Sequence, residues 1–237
     1  MDFDSFVLAA STADLDEEPA AREHADVVEF RMDLAAEPLA ALADYDGDLP
    51  LIATNRAAWE GGEAESDGRL DALSAAAEYD FVEAVDVELR ALRGDPDGLT
   101  GSPPVDADPE AAANLVDHAR EQGAAVVASV HDFEATPDER TLGNLFDSAT
   151  SEGDVGKVAV TAADRDDTLA LLAATRRCAA RGERVASMAM GEAGRHTRAV
   201  APVYGSRIGY APVDPERATA PGQYDLATLA SLVAQLG

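Results

Sequence analysis

Short apolar runs alternate with amphipathic segments along the whole chain. The runs have the length of buried strands, and the segments between them repeat with a helical period. We count eight of each in 237 residues. The predicted strands are residues 6–10, 27–33, 51–54, 81–88, 125–131, 154–160, 184–190 and 206–211. The predicted helices are residues 19–24, 38–43, 69–79, 109–122, 138–150, 164–180, 195–200 and 225–236.

This alternation predicts an α/β fold in which helices cover a parallel sheet. Eight such units in a chain of this length favour a (β/α)8 TIM barrel over an open doubly wound sheet. No glycine-rich phosphate fingerprint follows the first strand, which disfavours a dinucleotide-binding domain. Residues 93–108 are interpreted as a long loop, so we expect one catalytic domain over residues 1–237.

The composition of the chain limits which binding partners and which cellular location we expect. The net charge of −28 disfavours nucleic acids and anionic membrane surfaces as partners. Acidic residues spread along a chain almost without lysine suggest adaptation to high salt. The single cysteine, Cys178, excludes an internal disulfide and fits a reducing cytosol. No signal peptide is visible and no apolar run approaches the roughly 18 residues needed to cross a bilayer, so we expect a cytoplasmic protein.

One lysine stands out. Of 18 basic residues, 17 are arginine, and Lys157 lies inside the sixth apolar run. A buried lysine can lose its proton and attack a carbonyl, whereas arginine stays charged, so Lys157 indicates amine chemistry. The alternative is a structural lysine whose stem packs while its head reaches solvent.

Polar residues in and after strands two and three are candidates for ligand contacts. Glu29 and Arg31 are two residues apart and point to the same side of strand two. They are either site residues or a structural ion pair. Arg56 and Glu60 lie in a loop that ends in two glycines, which indicates a sharp turn around a ligand or, alternatively, an ordinary surface turn.

Strand five ends in His131 and directly precedes the lysine strand. A lone histidine is often structural, but neighbouring strands can bring an imidazole and an amine to one substrate. Strand four ends in Asp86 and Glu88, which we interpret as structural. After the last strands come Arg198 and a constrained loop with Thr219 and Gln223, which is either a plain turn or suited to a polyhydroxylated ligand.

Neither a metal site nor a serine triad is predicted. The chain has no cysteine pair, no histidine pair at helical ligand spacing and no Gly-x-Ser-x-Gly elbow.

The ordered set of these motifs resembles type I 3-dehydroquinate dehydratase, the Schiff-base enzyme of the shikimate pathway. The matching pieces are Glu29-Phe30-Arg31, Arg56 with Glu60-Gly61-Gly62, Ser129-Val130-His131-Asp132-Phe133, Lys157-Val158-Ala159, Ser187-Met188-Ala189-Met190-Gly191, Arg198 and Ala220-Pro221-Gly222-Gln223. They occur in family order over nearly the whole chain. One departure is Thr219, where the family usually has serine. Threonine keeps the hydroxyl but is β-branched.

The resemblance implies a dehydration of 3-dehydroquinate to 3-dehydroshikimate without a cofactor. Lys157 would form an imine with the C3 ketone, His131 would act as general base and then general acid, and Glu60 would orient the histidine. Arg198 would hold the substrate carboxylate. The substrate hydroxyls would be contacted by Glu29, Arg31, Arg56, Thr219 and Gln223. Family members are commonly dimers, so the resemblance also implies a homodimer.

Two other functions fit parts of the pattern. The first is a Schiff-base aldolase or transaldolase that acts on a sugar phosphate, although no glycine-rich phosphate nest is evident near strands seven and eight. The second is a non-catalytic barrel that binds a polyol acid and regulates a partner.

Overall fold

The computed structural model describes residues 1–94, 105–217 and 222–237. Its strands are β1 Val7–Thr12, β2 Val27–Arg31, β3 Leu51–Thr54, β4 Val82–Glu88, β5 Ala125–Asp132, β6 Val155–Thr161, β7 Val185–Met190 and β8 Ile208–Pro212. Its α-helices are α1 Glu18–Ala21, α2 Pro38–Asp44, α3 Arg69–Ala76, α4 Leu89–Arg93, α5 Pro109–Glu121, α6 Glu139–Glu152, α7 Arg165–Ala180, α8 Gly191–Gly194, α9 Thr197–Val200 and α10 Leu226–Leu236.

The strands form one parallel sheet in the order β7-β6-β5-β4-β3-β2-β1-β8. The two outer strands, β7 and β8, meet at an isolated bridge between Val185 and Ser206. The amide of Arg207 donates to the Val185 carbonyl at 2.7 Å across the same junction. The sheet is therefore a nearly closed barrel, which confirms the predicted (β/α)8 TIM barrel.

The apolar residues form two layers because successive side chains of a strand point to opposite faces. Alternate strand residues, among them Ile52, Val127 and Ala186, fill the barrel interior together with Phe3 near the N-terminus. Residues of the opposite parity pack against the helices and make two further clusters. The polar residues of the candidate site lie at the carboxyl ends of the same strands, above the apolar interior.

Several helices begin at an aspartate that accepts backbone N–H groups of the first turn. Asp108, Asp138, Asp164 and Asp225 cap α5, α6, α7 and α10 in this way. Such caps satisfy N–H groups that have no partner within the helix. Part of the acidic composition thus stabilises the helix ends.

The structure differs from the sequence prediction mainly at element ends. β2 ends at Arg31 because residues Met32–Leu34 turn into a 3-10 helix. The short helix α4, directly after β4, was not predicted. Residues 95–104 of the predicted long loop lie outside the described residues. Of the helices that the structure describes, none is both long and apolar enough to cross a membrane.

Candidate active site

A cavity with many polar and charged side chains opens at the carboxyl end of the barrel. Eight of the nine predicted site residues line it: Glu29, Arg31, Arg56, Glu60, His131, Lys157, Arg198 and Gln223. The ninth, Thr219, lies outside the described residues. The sequence prediction did not assign Thr54 or Tyr210 to the site, and both also contribute to the wall.

Lys157 projects from the third position of β6 into this cavity and is only 4% exposed. Its Nζ donates to Asp86 Oδ2 at 2.9 Å and lies 3.9 Å from Glu29 Oε1. The same nitrogen lies 4.2 Å from the ring centroid of Tyr210. The amine is therefore walled into the barrel, and the alternative of a lysine head in solvent is wrong.

Asp86 is the main site residue that sequence reasoning misjudged, because it was interpreted as structural. Its Oδ1 accepts from Arg56 Nη2 at 2.7 Å and from Ser129 Oγ at 2.6 Å, while Oδ2 faces Lys157. Burial alone would raise the pKa of Asp86, but the Arg56 and Lys157 cations hold that pKa below its usual range. Asp86 is thus a fixed negative charge beside the amine.

Glu88, the other carboxylate of β4, fits the structural interpretation. It forms ion pairs with Arg56 at 3.1 Å and with Arg69 at 2.8 Å, and it accepts the Ala57 amide at 3.1 Å. These bonds anchor the loop that follows β3. They also hold the Arg56 guanidinium beside Asp86, so Arg56 organises the floor of the cavity.

His131 lies at the end of β5, which pairs with β6 in the sheet. Glu60 Oε1 accepts the His131 backbone amide at 3.0 Å and lies 3.1 Å from Nδ1 of its ring. Phe133 stacks on the imidazole with centroids 5.8 Å apart. Burial, together with the nearby cations of Arg56 and Lys157, places the pKa of His131 well below its ordinary value, so the ring is neutral at pH 7.

Glu60 itself is buried among other charges. Burial and the Glu88 carboxylate raise the pKa of Glu60 from 4.5 to about 8, although Arg56 and Arg90 act in the opposite direction. A proton on Glu60 therefore comes off near physiological pH.

Two glycines give the Glu60 loop its shape. Gly61 has φ +78°, and a Cβ there would lie 2.4 Å from the Phe133 ring. A Cβ on Gly62 would lie 2.1 Å from the carbonyl oxygen of Arg56. Both positions need glycine for conformation or space. The turn brings Glu60 and Arg56 into one wall of the cavity.

Glu29 and Arg31 do not pair with each other as the structural alternative proposed. Glu29 accepts from Ser11 Oγ at 2.5 Å and from Thr54 Oγ1 at 3.2 Å. Arg31 binds Asp33 through two N–H donors, at 2.9 and 2.7 Å. Each side chain is thus held by its own partners.

Arg198 and Gln223 close the remaining side of the cavity. Arg198 is 4% exposed, and burial lowers the pKa of its guanidinium to about 10. It remains a cation at neutral pH. A guanidinium can bind a carboxylate or a phosphate through two parallel hydrogen bonds, so Arg198 is suited to an anionic group of a ligand.

Outside the cavity, the described residues contain one group with metal-ligand chemistry: Asp147, Cys178 and Glu183. The Nη2 atom of Arg181 donates to Asp147, to Cys178 Sγ at 3.3 Å and to Glu183 Oε2 at 2.9 Å. An arginine cation already occupies the place that a metal ion would take.

The fold and the cavity define an enzyme of the TIM-barrel class with a buried lysine and a histidine in its site. The family model of type I 3-dehydroquinase matches residues 6–237. The 3-dehydroquinate dehydratase of Haloarcula marismortui is 59% identical over 100% of this chain and 98% of its own length. That of Halobacterium salinarum is 52% identical, with full coverage of both chains.

The chain therefore belongs to the type I 3-dehydroquinase family and is a hydro-lyase that dehydrates 3-dehydroquinate in the shikimate pathway. Among solved structures, the 3-dehydroquinate dehydratase of Geobacillus kaustophilus superimposes with a TM-score of 0.81 at 24% identity, over 98% of this chain and 91% of the other. That likeness independently supports the fold.

Proposed function

We propose that the enzyme converts 3-dehydroquinate to 3-dehydroshikimate through a Schiff base on Lys157, with His131 as general base and then general acid. The observation that carries this proposal is the burial of the chain's single lysine in the same cavity as a neutral histidine. A neutral imidazole can accept a proton, and a walled-in amine can be presented to one ketone.

The first step joins the amine to the substrate. The ammonium of Lys157 gives up a proton to the neutral His131, the free electron pair attacks the C3 carbonyl carbon, and the resulting carbinolamine loses water as His131 returns the proton to the leaving hydroxyl. Overall, an ammonium and a ketone become a protonated imine and one water molecule, so the positive charge stays on nitrogen. The fixed negative charge of Asp86, 2.9 Å from Nζ, stabilises that cation.

The second step removes a proton and a hydroxyl. The imine cation acidifies the neighbouring C2–H bond, and His131 takes that proton through Nε2. With its other proton on Nδ1, the ring donates to Glu60 Oε1, which fixes its orientation. The enamine then expels the C1 hydroxyl as His131 returns the proton, and hydrolysis of the imine frees the product and Lys157.

The remaining cavity residues hold the substrate. Arg198 binds the carboxylate, because a guanidinium can do so with two hydrogen bonds. The hydroxyls contact Glu29, Arg31, Arg56, Thr219 and Gln223. Of these, Arg56 already donates to Asp86 and Ser129, so its larger effect is to shape the cavity floor.

Borohydride reduction tests the proposal. We expect one covalent substrate adduct in the intact mass of the wild type after reduction with 3-dehydroquinate, and none in Lys157→Ala. Because the chain has one lysine, the adduct site is unambiguous apart from the N-terminus, which peptide mapping distinguishes. Activity without an adduct in the wild type would contradict the Schiff base.

Control ligands distinguish the proposed function from the two alternatives, an aldolase and a non-catalytic binding protein. A sugar phosphate should give no adduct, whereas an aldolase would form one. A binding protein would retain 3-dehydroquinate in both the wild type and Lys157→Ala and would release no conjugated enone product.

We further propose a single catalytic domain over residues 1–237, a homodimer, and a cytoplasmic location, with no nucleic-acid or membrane partner and no cofactor. Adaptation to high salt is supported by the charge of −28 and by the haloarchaeal relatives.

A further inference from the structure

Arg90 is among the largest fully buried side chains of the described residues, at 1% exposure. It lies in the first turn of α4, directly beyond the carboxyl end of β4. Its Nη1 donates to the Trp59 carbonyl at 3.3 Å, and its guanidinium lies 5.2 Å from the centroid of the Trp59 ring. A cation so far from water needs a compensating charge.

Among the described residues, one such charge is the carboxylate of Glu60. Arg90 Nη1 lies 3.6 Å from Glu60 Oε2. This oxygen is buried and accepts no hydrogen bond from the described residues, while the other oxygen, Oε1, faces His131. The two oxygens of one carboxylate thus connect a buried arginine to the histidine of the site.

We propose that Arg90 is a positioning residue that favours the ionised form of Glu60, so that Glu60 can accept a hydrogen bond from Nδ1 of His131 and orient the ring. The inference rests on the proposed function, in which His131 moves the proton. Arg90 acts through Glu60 and does not line the cavity.

The charges around Glu60 make its protonation state sensitive to Arg90. Arg56 faces it from the loop after β3, Glu88 from the end of β4, Arg90 from α4 and His131 from β5. Glu88 opposes ionisation, whereas Arg56 and Arg90 favour it. Arg56 is already shared with Asp86 and Glu88. Among these described residues, Arg90 is the arginine that lies within ion-pair distance of Glu60, at 3.6 Å.

The test compares the pH dependence of kcat/KM, which reports the groups of the free enzyme, in the wild type and in Arg90→Gln. The carboxylate form is the active one, so kcat/KM of the wild type should rise with pH through about 8, the pKa of Glu60. Loss of the cation moves this rise to higher pH by at least about one unit, which is about tenfold lower kcat/KM near pH 7, carried by kcat, and recovery at high pH. KM should change little, because Arg90 does not touch the substrate.

Two further variants serve as controls. Arg90→Lys keeps the charge and should restore most of kcat near pH 7. Arg93→Gln removes a cation from the same helix, but Arg93 has a half-exposed side chain that pairs with Glu152 outside the cavity. Its pH profile should match the wild type.

A double-mutant cycle separates a positioning role from a merely structural one. In a Glu60→Gln background residue 60 has no charge to regulate, so Arg90→Gln should shift the pH profile no further. An equal shift in both backgrounds would overturn the proposal. Folding is checked by circular dichroism at pH 6, where a protonated Glu60 needs no cation. If Arg90→Gln does not fold there, Arg90→Met replaces it under the same criteria.

The borohydride experiment on the wild type shows which proposal has failed. If the wild type forms no adduct, the Schiff-base function fails and this inference fails with it. If the wild type forms the adduct and the profiles of Arg90→Gln and the wild type coincide, only the role of Arg90 is wrong.

Discussion

At the scale of single residues, the site is a balanced set of buried charges. Lys157 is paired with Asp86, Asp86 with Arg56, and Arg56 with Glu88. Removing one member of such a set leaves its partner charged and desolvated, which costs about 3 to 5 kcal/mol. The chemistry and the stability of the fold therefore depend on the same side chains.

The raised pKa of Glu60 has a consequence for stability. In the folded protein Glu60 keeps its proton up to about pH 8, whereas in the unfolded chain it loses the proton near 4.5. Between these values the folded state binds more protons, so the free energy of unfolding falls as pH rises, by up to about 1.4 kcal/mol per unit. We expect Glu60→Gln to lose this decline. Urea unfolding of both proteins from pH 5 to 9 measures the difference, and parallel curves would contradict the assignment.

At the scale of elements, the turn after β3 positions the catalytic wall. Asp33 connects it to β2, because one of its oxygens accepts both Arg31 Nη2 at 2.7 Å and the Glu63 amide at 3.2 Å. The Ala57 and Ala64 backbones close the loop with a bridge. The turn is therefore tied to the end of β2 through Asp33, Glu60 lies beside Arg90 of α4, and Gly61 lies against the Phe133 ring.

Substitution of Gly61 by alanine tests how this turn supports the histidine. The left-handed φ of Gly61 makes any side chain cost about 1 to 2 kcal/mol, and the new Cβ would push the Phe133 ring off His131. We expect both Gly61→Ala and Gly68→Ala to lose stability, and Gly61→Ala to lose more, since Gly68 also has positive φ but nothing within 4 Å. Only Gly61→Ala should lower kcat, by about tenfold or more. Thermal unfolding and steady-state kinetics on both variants check this, and equal kcat values would rule it out.

At the scale of the whole molecule, the order of the strands was predictable from sequence because each apolar run is bounded by polar turns. The meeting of His131 and Lys157 followed from their positions on consecutive parallel strands. The roles of Asp86 and Glu88 did not follow, because the two carboxylates have the same parity and differ only in depth along β4. Arg90 was also not predictable, since α4 is short and a cation beside a strand end resembles surface sequence.

The net charge of −28 predicts a salt-dependent stability. Repulsion among exposed carboxylates opposes compaction at low ionic strength, and screening is strong above about 1 M salt, where the Debye length is about 3 Å. We expect the melting temperature to rise steeply with KCl. Thermal unfolding across a KCl series tests this, and a flat response to KCl would contradict it.

The junction between β7 and β8 gives the barrel a built-in asymmetry. Every other two neighbouring strands share a ladder of at least four residue pairs, whereas the structure describes one bridge between β7 and β8. The Ser187 amide also donates to the Ser206 hydroxyl at 3.0 Å across this junction. Local opening of the barrel between β7 and β8 costs the least free energy, since the fewest backbone hydrogen bonds are lost there. Lys157 and His131 lie on β6 and β5, which are hydrogen-bonded along their length. Their spacing is therefore retained when the barrel opens at this junction, and the displacement falls on the side of the cavity lined by the methionines of β7.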